Sequence, residues 1–423
     1  MTRRIRVQVG IVGAGPAGLV AASVLHDAGV AVCVVERDTR ERVEARARAG
    51  LVEHRVADYL RRQGLDGGLS AGGVRHGWCE VVSLGQRLRV DYARGSGGFA
   101  HRVYPQQSLV RDLIGRLVDR GCPVLFAVAA RALAEVGTRP RVLCDGLEVV
   151  CDYVLCCDGP QTLADTVLPA HLADAFRYPY DWLTALVRVD RAVEAVVYGV
   201  HGDGFAGLMP RTAHVARLYL QVPPGEDTGR GEAGAIRERF ARRTAAAASG
   251  LPARGEVLET GVLRMRGMVR RRMRRGRVLV AGDAAHVLTP SGAKGLNLAV
   301  ADAADAARSL LAGCRDRDDT LLRGYSRRRV TEAWQVQGFS DQLLNLLHLP
   351  DCHETERPFQ LRLRHDRLAL LTGTGPQATA FAHWYAGSGR PPDPRGPLAP
   401  DDGTPGDTEE AGEAGEAGDP ASP

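Results

Sequence analysis

The sequence predicts a mixed α/β fold: a parallel-sheet domain interrupted by an antiparallel sheet and followed by C-terminal helices. Three observations predict it. The first forty or so residues read as strand, glycine turn, helix, strand. A stretch of mixed alternation and aromatics, Leu183 to Val222, then breaks the α/β rhythm. A short apolar run, Val278-Leu279-Val280-Ala281, restores it ahead of a long helical region.

The opening unit is strand Val7–Val12, the turn Gly13-Ala14-Gly15-Pro16-Ala17-Gly18, a helix to about Ala28, and strand Val30–Glu36. The turn fits G-x-G-x-x-G, and Glu36 ends the second strand 23 residues after Gly13. Glycines there let backbone N–H groups approach a pyrophosphate at a helix N-terminus, and a carboxylate at the second strand's end accepts from a ribose hydroxyl. The unit is therefore Rossmann-like and binds a dinucleotide, with NAD and FAD both open at this point.

Strands and helices alternate onward to Tyr178-Pro179-Tyr180-Asp181-Trp182, where an antiparallel layer is expected to begin. The Gly/Glu/Arg/Ala-rich segment from Glu226 to Arg254 reads as a surface helix with loose flanks, and Gly295 to His348 as a long helical region, with more helix to Tyr385. Residues 390–423 are Pro, Gly, Asp and Glu with almost nothing apolar, the composition of a disordered acidic tail. The expected division is a nucleotide domain (1–75, 99–177, 269–345), an inserted sheet domain for substrate (76–98, 178–268), a C-terminal helical region (346–389) and the tail.

The 423 residues carry 55 Lys+Arg against 50 Asp+Glu, and a net +5 is too diffuse for a nucleic-acid partner. The cluster Arg270-Arg271-Arg272-Met273-Arg274-Arg275 reads as a solvated turn. No apolar run reaches the roughly 18 residues of a membrane span, and no secretory h-region is visible, so a cytoplasmic protein is expected. Nine scattered cysteines without a C-x-x-C pair argue against disulfides and metal, and for buried thiols. Only one cation is a lysine, Lys294.

That lysine lies in the second chemical landmark. Gly282-Asp283-Ala284-Ala285-His286 follows the Val278 strand, and Pro290-Ser291-Gly292-Ala293-Lys294-Gly295 leads into a helix opening Leu296-Asn297-Leu298. An aspartate at a strand end binds a polyol such as a ribityl chain. A glycine-rich turn admits a flat ring, and a helix N-terminus suits the anionic ring oxygen of reduced flavin. FAD is thus the expected cofactor, with Lys294 beside its ring. A third element, Cys157-Asp158-Gly159, is on its own only a turn.

In this order and spacing the three elements resemble those of the FAD-dependent aromatic hydroxylases. The run from Gly282 to Leu298 is similar to that of the 4-hydroxybenzoate 3-monooxygenase family, a likeness extending from Val7 to about Gly387. The resemblance implies flavin contacts from Gly13, Gly15, Ala17, Gly18, Glu36, Arg37, Asp158, Asp283, Lys294, Gly295, Leu296 and Asn297. It adds Arg46 and Arg48 in a mobile arginine-rich loop and Gln106 in Tyr104-Pro105-Gln106. It also implies that Tyr198 and Tyr385 bind and deprotonate a substrate phenol, that His76 passes the proton to solvent, and that the Pro290 carbonyl touches the ring. Arg211 and Tyr219 would meet a benzoate carboxylate, and Arg266 a nicotinamide cofactor, NADPH or NADH.

Departures from the family pattern are informative. Met209 replaces a carboxylate-assisting serine, Gly207 a bulky aliphatic, Gln161 a nicotinamide-binding histidine and Asp165 an arginine. The exchange at Gly207 and Met209 suggests room for a ring substituent, as in 3-amino-4-hydroxybenzoate. Arg37 and Arg42 favour a nicotinamide phosphate, whereas Asp38 and Glu41 oppose one. The activity implied is NAD(P)H-driven hydroxylation by O2 through a flavin C4a-hydroperoxide, on a small aromatic acid. The alternatives are an NAD(P)H oxidase or dehydrogenase of the same fold, and a nucleotide-binding protein without catalysis. A homodimer is the one assembly considered, and the oligomeric state is left open.

Overall fold

The computed structural model describes residues 3–46, 50–226, 233–244 and 256–387. Arg48 and the 390–423 tail therefore lie outside the described residues. The α/β expectation holds. A six-stranded sheet runs Arg274–Arg275, Val278–Val280, Tyr153–Cys156, Val9–Val12, Val32–Val35, Val124–Leu125. All its pairings are parallel except that of the Arg274 edge strand. Strands Val9–Val12, Val32–Val35 and Tyr153–Cys156 are buried throughout, as parallel strands covered on both faces must be. The helices Pro16–Asp27 and Lys294–Arg315 pack against each other beside this sheet.

Two features differ from the sequence expectation. Arg3–Arg6 is a strand of its own, parallel to Leu147–Val150 in a separate four-stranded sheet, so the chain's first core strand begins at Val9 rather than Val7. The long helical region is two helices, Lys294–Arg315 and Thr320–Leu347, separated by a turn in which Arg317 has φ +56°.

The inserted sheet has eight strands in the order His286–Val287, Val257–Arg270, Ala173–Arg188, Val215–Val222, Gly204–Thr212, Val196–His201, Cys79–Ser83, Gln86–Val90. It is antiparallel except where Val196–His201 runs parallel to Cys79–Ser83. Alternation along the strands sends two sets of side chains to opposite faces. Leu183, Ala185, Leu218 and Leu220 face a helix, Ala233–Arg243, that buries Ile236 and Phe240 against them. The other face carries Trp182, Tyr198, Phe205 and Tyr219, and packs with Phe339, Leu343, Phe381 and Tyr385 from the C-terminal helices. Of the residues the sequence singles out for a substrate, Tyr198, Gly207, Met209 and Tyr219 lie on this second face. No helix among the described residues is long and apolar enough to cross a membrane.

Candidate active site

The cofactor side is built from two helix N-termini. Gly13 holds φ +102°, and a Cβ there would meet the Cys157 carbonyl oxygen at 2.5 Å, so only glycine allows the first core strand to approach the Cys157-Asp158 turn. Gly15 is the N-cap of Pro16–Asp27, has open space where a side chain would be, and leaves the helix without a side-chain cap. Glu36, almost fully buried, accepts from Ala14 N at 2.8 Å and Asp38 N at 3.0 Å, which fixes the glycine turn from the neighbouring strand's end. The helix Lys294–Arg315 likewise has no side-chain cap, and Gly295 in its first turn also faces open space. Ala293, just before it, is in the left-handed region at φ +54°, a strained conformation for a residue with a Cβ. Beside Gln106, the Gln107 Oε1 is buried without a partner. Uncapped helix N-termini and glycine surfaces make a fit for a pyrophosphate and a flat ring.

Several side chains expected on the cofactor are engaged elsewhere. The Lys294 ammonium is buried and gives its three donors to Glu53 Oε1 (2.7 Å), Trp384 O (2.8 Å) and Tyr385 O (2.9 Å), so it is oriented toward the C-terminal helix. Burial depresses its pKa and Glu53 partly offsets this. Asn297 uses its side chain on Leu51 O, Ala293 O and Glu53 N, leaving only backbone to offer. Asp158 accepts from Thr162 Oγ1 and Leu163 N, capping a local turn, with burial raising its pKa. Asp38 pairs with both Arg42 and Arg46, while Arg37 stays exposed. The Pro290 carbonyl accepts from Ala293 N at 3.2 Å. Asp283 is half-buried on the turn Gly282–Ala284, and Ala17 and Gly18 are buried in the first helix.

On the substrate side, strand register places Tyr198 opposite Gly207, Gly207 opposite Tyr219, and Tyr219 opposite Thr184. These residues form one row across four strands of the second sheet face. The hydroxyls of Tyr198 and Tyr385 are 2.8 Å apart, both fully buried. Burial, and for Tyr385 the neighbouring Tyr198, pushes both phenols well above their ordinary range. Tyr385 is held from behind as well: its carbonyl also accepts from His101 Nε2 at 2.9 Å.

The space vacated at Gly207 is filled. A Cβ there would meet Phe205 Cζ at 2.9 Å, and the Phe205 ring stacks on Trp182 (4.8 Å) and His348 (4.7 Å). Trp182 Nε1 donates to His348 Nε2 at 2.8 Å, and burial lowers the His348 pKa to about 3, so this histidine is a neutral packing element. The expected substituent room at Gly207 is therefore taken by Phe205. Met209, two residues on, lies opposite Arg217 and is buried on the same face. Arg211 sits at the bulge between Pro210 and Thr212, half-buried, and makes no ion pair among the described residues. Burial lowers its pKa, with the nearby Arg217 adding to the shift. Arg217, which the sequence reading missed, thus brings a second cation to this end of the row. Its own acid, Glu259, is 3.8 Å away.

His76 is not positioned as a relay. Its Nε2 accepts from Val196 N at 3.0 Å, its Nδ1 donates to Tyr92 Oη at 2.7 Å, and Tyr92 returns a bond to the His76 carbonyl. Both ring nitrogens are occupied within a closed loop, and burial holds the pKa at about 4.

The family model described as FAD binding domain matches residues 6–340. The chain belongs to this family. FAD is accordingly the cofactor of this FAD binding domain protein, and the enzyme is a flavin-dependent monooxygenase of the aromatic-hydroxylase class. It is 28% identical over 389 residues to p-hydroxybenzoate hydroxylase of Acinetobacter baylyi, covering 90% of this chain and 96% of that protein. It is 28% identical over 397 residues to 3-amino-4-hydroxybenzoate 2-monooxygenase of Streptomyces cremeus, covering 87% and 95%. Its fold matches p-nitrophenol 4-monooxygenase of Pseudomonas putida DLL-E4 with TM-score 0.75 at 20% identity, covering 92% and 99%.

In this flavoprotein the residues expected to hold the nicotinamide are both exposed. Gln161 follows the Asp158-Gly159 turn, whereas Arg266 lies on the long strand opposite Arg177. Asp165 pairs with Arg270, a buried cation that also donates to Leu168 O and Ala284 O. The arginine cluster is otherwise a mostly solvated turn: Arg271, Arg272 and Arg275 are exposed, with Arg271 paired to Asp174 and Arg275 donating to Val167 O.

Proposed function

We propose that this enzyme hydroxylates a 4-hydroxybenzoate-type aromatic acid at the carbon ortho to its phenol, consuming NADH or NADPH and O2. The observation that carries the reading is the buried Tyr198–Tyr385 hydroxyl pair, in one row with Tyr219, whose neighbour Arg211 supplies a cation. FAD would be held by the Gly13–Gly18 turn, Glu36, Asp283 and the backbone of Gly295 to Asn297. When bound, it supplies oxidation of the nicotinamide and delivery of one oxygen atom.

The chain's own residues prepare the substrate. A phenol pushes electron density onto its ortho carbon only when ionised. Tyr198 and Tyr385 share one hydrogen bond between their hydroxyls, so a substrate phenol joined to the pair would pass its proton along it to water and leave a phenolate stabilised by hydroxyl donation. Because burial raises both of their own pKa values, neither ionises in competition with the substrate. Arg211 offers a planar fork to the carboxylate at the other end of the ring, with the Tyr219 hydroxyl beside it. Burial of the row keeps water from the reacting carbon, which favours oxygen transfer over peroxide release.

Phe205 over Gly207 favours an acid without bulk at that edge. The likeness to a 3-amino-4-hydroxybenzoate 2-monooxygenase keeps the amino-substituted acid in the comparison. A cytoplasmic location agrees with nine free cysteines. The test is a panel of 4-hydroxybenzoates, unsubstituted and 3-substituted, scored with NADH and NADPH for stimulated oxidation. Stimulation only by acids bearing a free para-phenol supports the reading, and equal stimulation by benzoate contradicts it.

A further inference from the structure

Asp302 is a fully buried carboxylate on the helix Lys294–Arg315, at a position that none of the cofactor motifs explains. Its Oδ2 accepts from Gly282 N at 2.8 Å and from His286 Nε2 at 2.6 Å, and its Oδ1 from Arg329 Nε at 2.6 Å. One carboxylate oxygen therefore grips both ends of the turn Gly282 to His286, with Asp283 between them. The opposite side of the turn is held by Arg270 Nε on Ala284 O at 2.6 Å. Gly282 is in the left-handed region at φ +63°, wedged so that a Cβ would lie 3.3 Å from the Ala17 Cβ of the first helix.

The clasp is rigid because its own charge is held. Arg329 is fully buried and continues to Glu332 at 2.5 Å; Glu332 meets Arg55 at 3.0 Å, and Arg55 meets Glu53 at 3.1 Å. A carboxylate desolvated to this degree is stable only while its partners remain. The next buried carboxylate on the same helix, Asp305, pairs with Arg328 at 2.7 Å and with Ser309, and among the described residues makes no hydrogen bond to the turn. It offers a built-in comparison: same helix, same burial, same kind of partner, no clasp.

We propose that Asp302, backed by Arg329, is a positioning residue that sets the Gly282–His286 turn so that Asp283 meets the ribityl chain of FAD. The proposal rests on FAD seating at this turn. Its test measures FAD release from the holoenzymes by dilution, read as recovered flavin fluorescence, together with the position of the visible flavin bands.

Asp302→Asn places an amide donor against Arg329 and is expected to raise the FAD dissociation constant about tenfold or more, as loss of a charge-assisted bond does. Asp305→Asn is expected to lower Tm yet keep FAD affinity within about twofold of wild type. Should Asp302→Asn fail to fold, His286→Leu decides the matter: it removes the donor to Asp302 Oδ2 and frees one end of the turn, leaves Asp302–Arg329 intact, and is expected to weaken FAD by about threefold or more. Unchanged FAD affinity in either clasp variant, or equal weakening in Asp305→Asn, overturns the proposal. A wild-type protein that holds no FAD overturns the cofactor reading, and this proposal with it.

Discussion

The hydroxyls of Tyr198 and Tyr385 lie 2.8 Å apart although the residues are 187 positions apart in the chain. One comes from a strand of the inserted sheet and the other from the last described helix, so the pair exists only when the two packed parts are in register. Tyr385→Phe removes the relay and leaves the ring packing in place. The expected result is a kcat lower by about a hundredfold or more, with FAD content unchanged. The substrate's phenolate absorbance at neutral pH should fall in parallel. An unchanged kcat would contradict the role.

Tyr385 is held in place by Lys294, whose charge is matched by Glu53. Burial alone would raise the Glu53 pKa, but Lys294 and Arg55 together bring it down to about 2. A carboxylate depressed in the folded state contributes stability above its unfolded pKa of 4.5, and that contribution is lost as pH falls toward about 2. Glu53→Gln should therefore cost about 3–5 kcal/mol at neutral pH, because it leaves a buried ammonium unpaired. Its loss of stability relative to wild type should shrink between those two pH values, as seen in urea titrations across that window.

Phe205 over Gly207 predicts that restoring a bulky aliphatic fails. Gly207→Leu must displace a ring already stacked on Trp182 and His348, with a cost of about 1–3 kcal/mol and a raised KM for the acid. Urea midpoints and steady-state kinetics check both.

His76 should behave as a structural residue. His76→Asn loses the acceptor for Val196 N and part of the Tyr92 loop, costing about 1–3 kcal/mol. The pH dependence of kcat should keep its wild-type shape. A shifted profile would return His76 to the proton path.

Much of this site was legible in the chain because its signals are local. Gly13 to Gly18 with Glu36 is a contiguous strand–turn–helix–strand pattern, and Gly282 to Asn297 a contiguous turn into a helix. Backbone chemistry dictates both. The tyrosines became legible only through a family resemblance, since each alone is an ordinary half-apolar residue. What the sequence hid is long-range. Lys294 could be placed in the right loop, but its partner Glu53 is 241 positions away and belongs to no motif, so the direction of the ammonium was misread. Likewise Gly207 reads as empty space until strand alternation puts Phe205 on the same face and packing tips the ring over it. Arg211 could be singled out, but Arg217 beside it could not, because cross-strand register is invisible before pairing.

The most direct measurement is the stoichiometry of the reaction with 4-hydroxybenzoate: NAD(P)H oxidised, hydrogen peroxide released and 3,4-dihydroxybenzoate formed, quantified together on the purified holoenzyme. Near-equal amounts of oxidised nicotinamide and hydroxylated product, with little peroxide, are the predicted result. Nicotinamide oxidation that yields peroxide with no hydroxylated acid, for this substrate and its 3-amino analogue alike, would contradict the account and leave an NAD(P)H oxidase of the same fold.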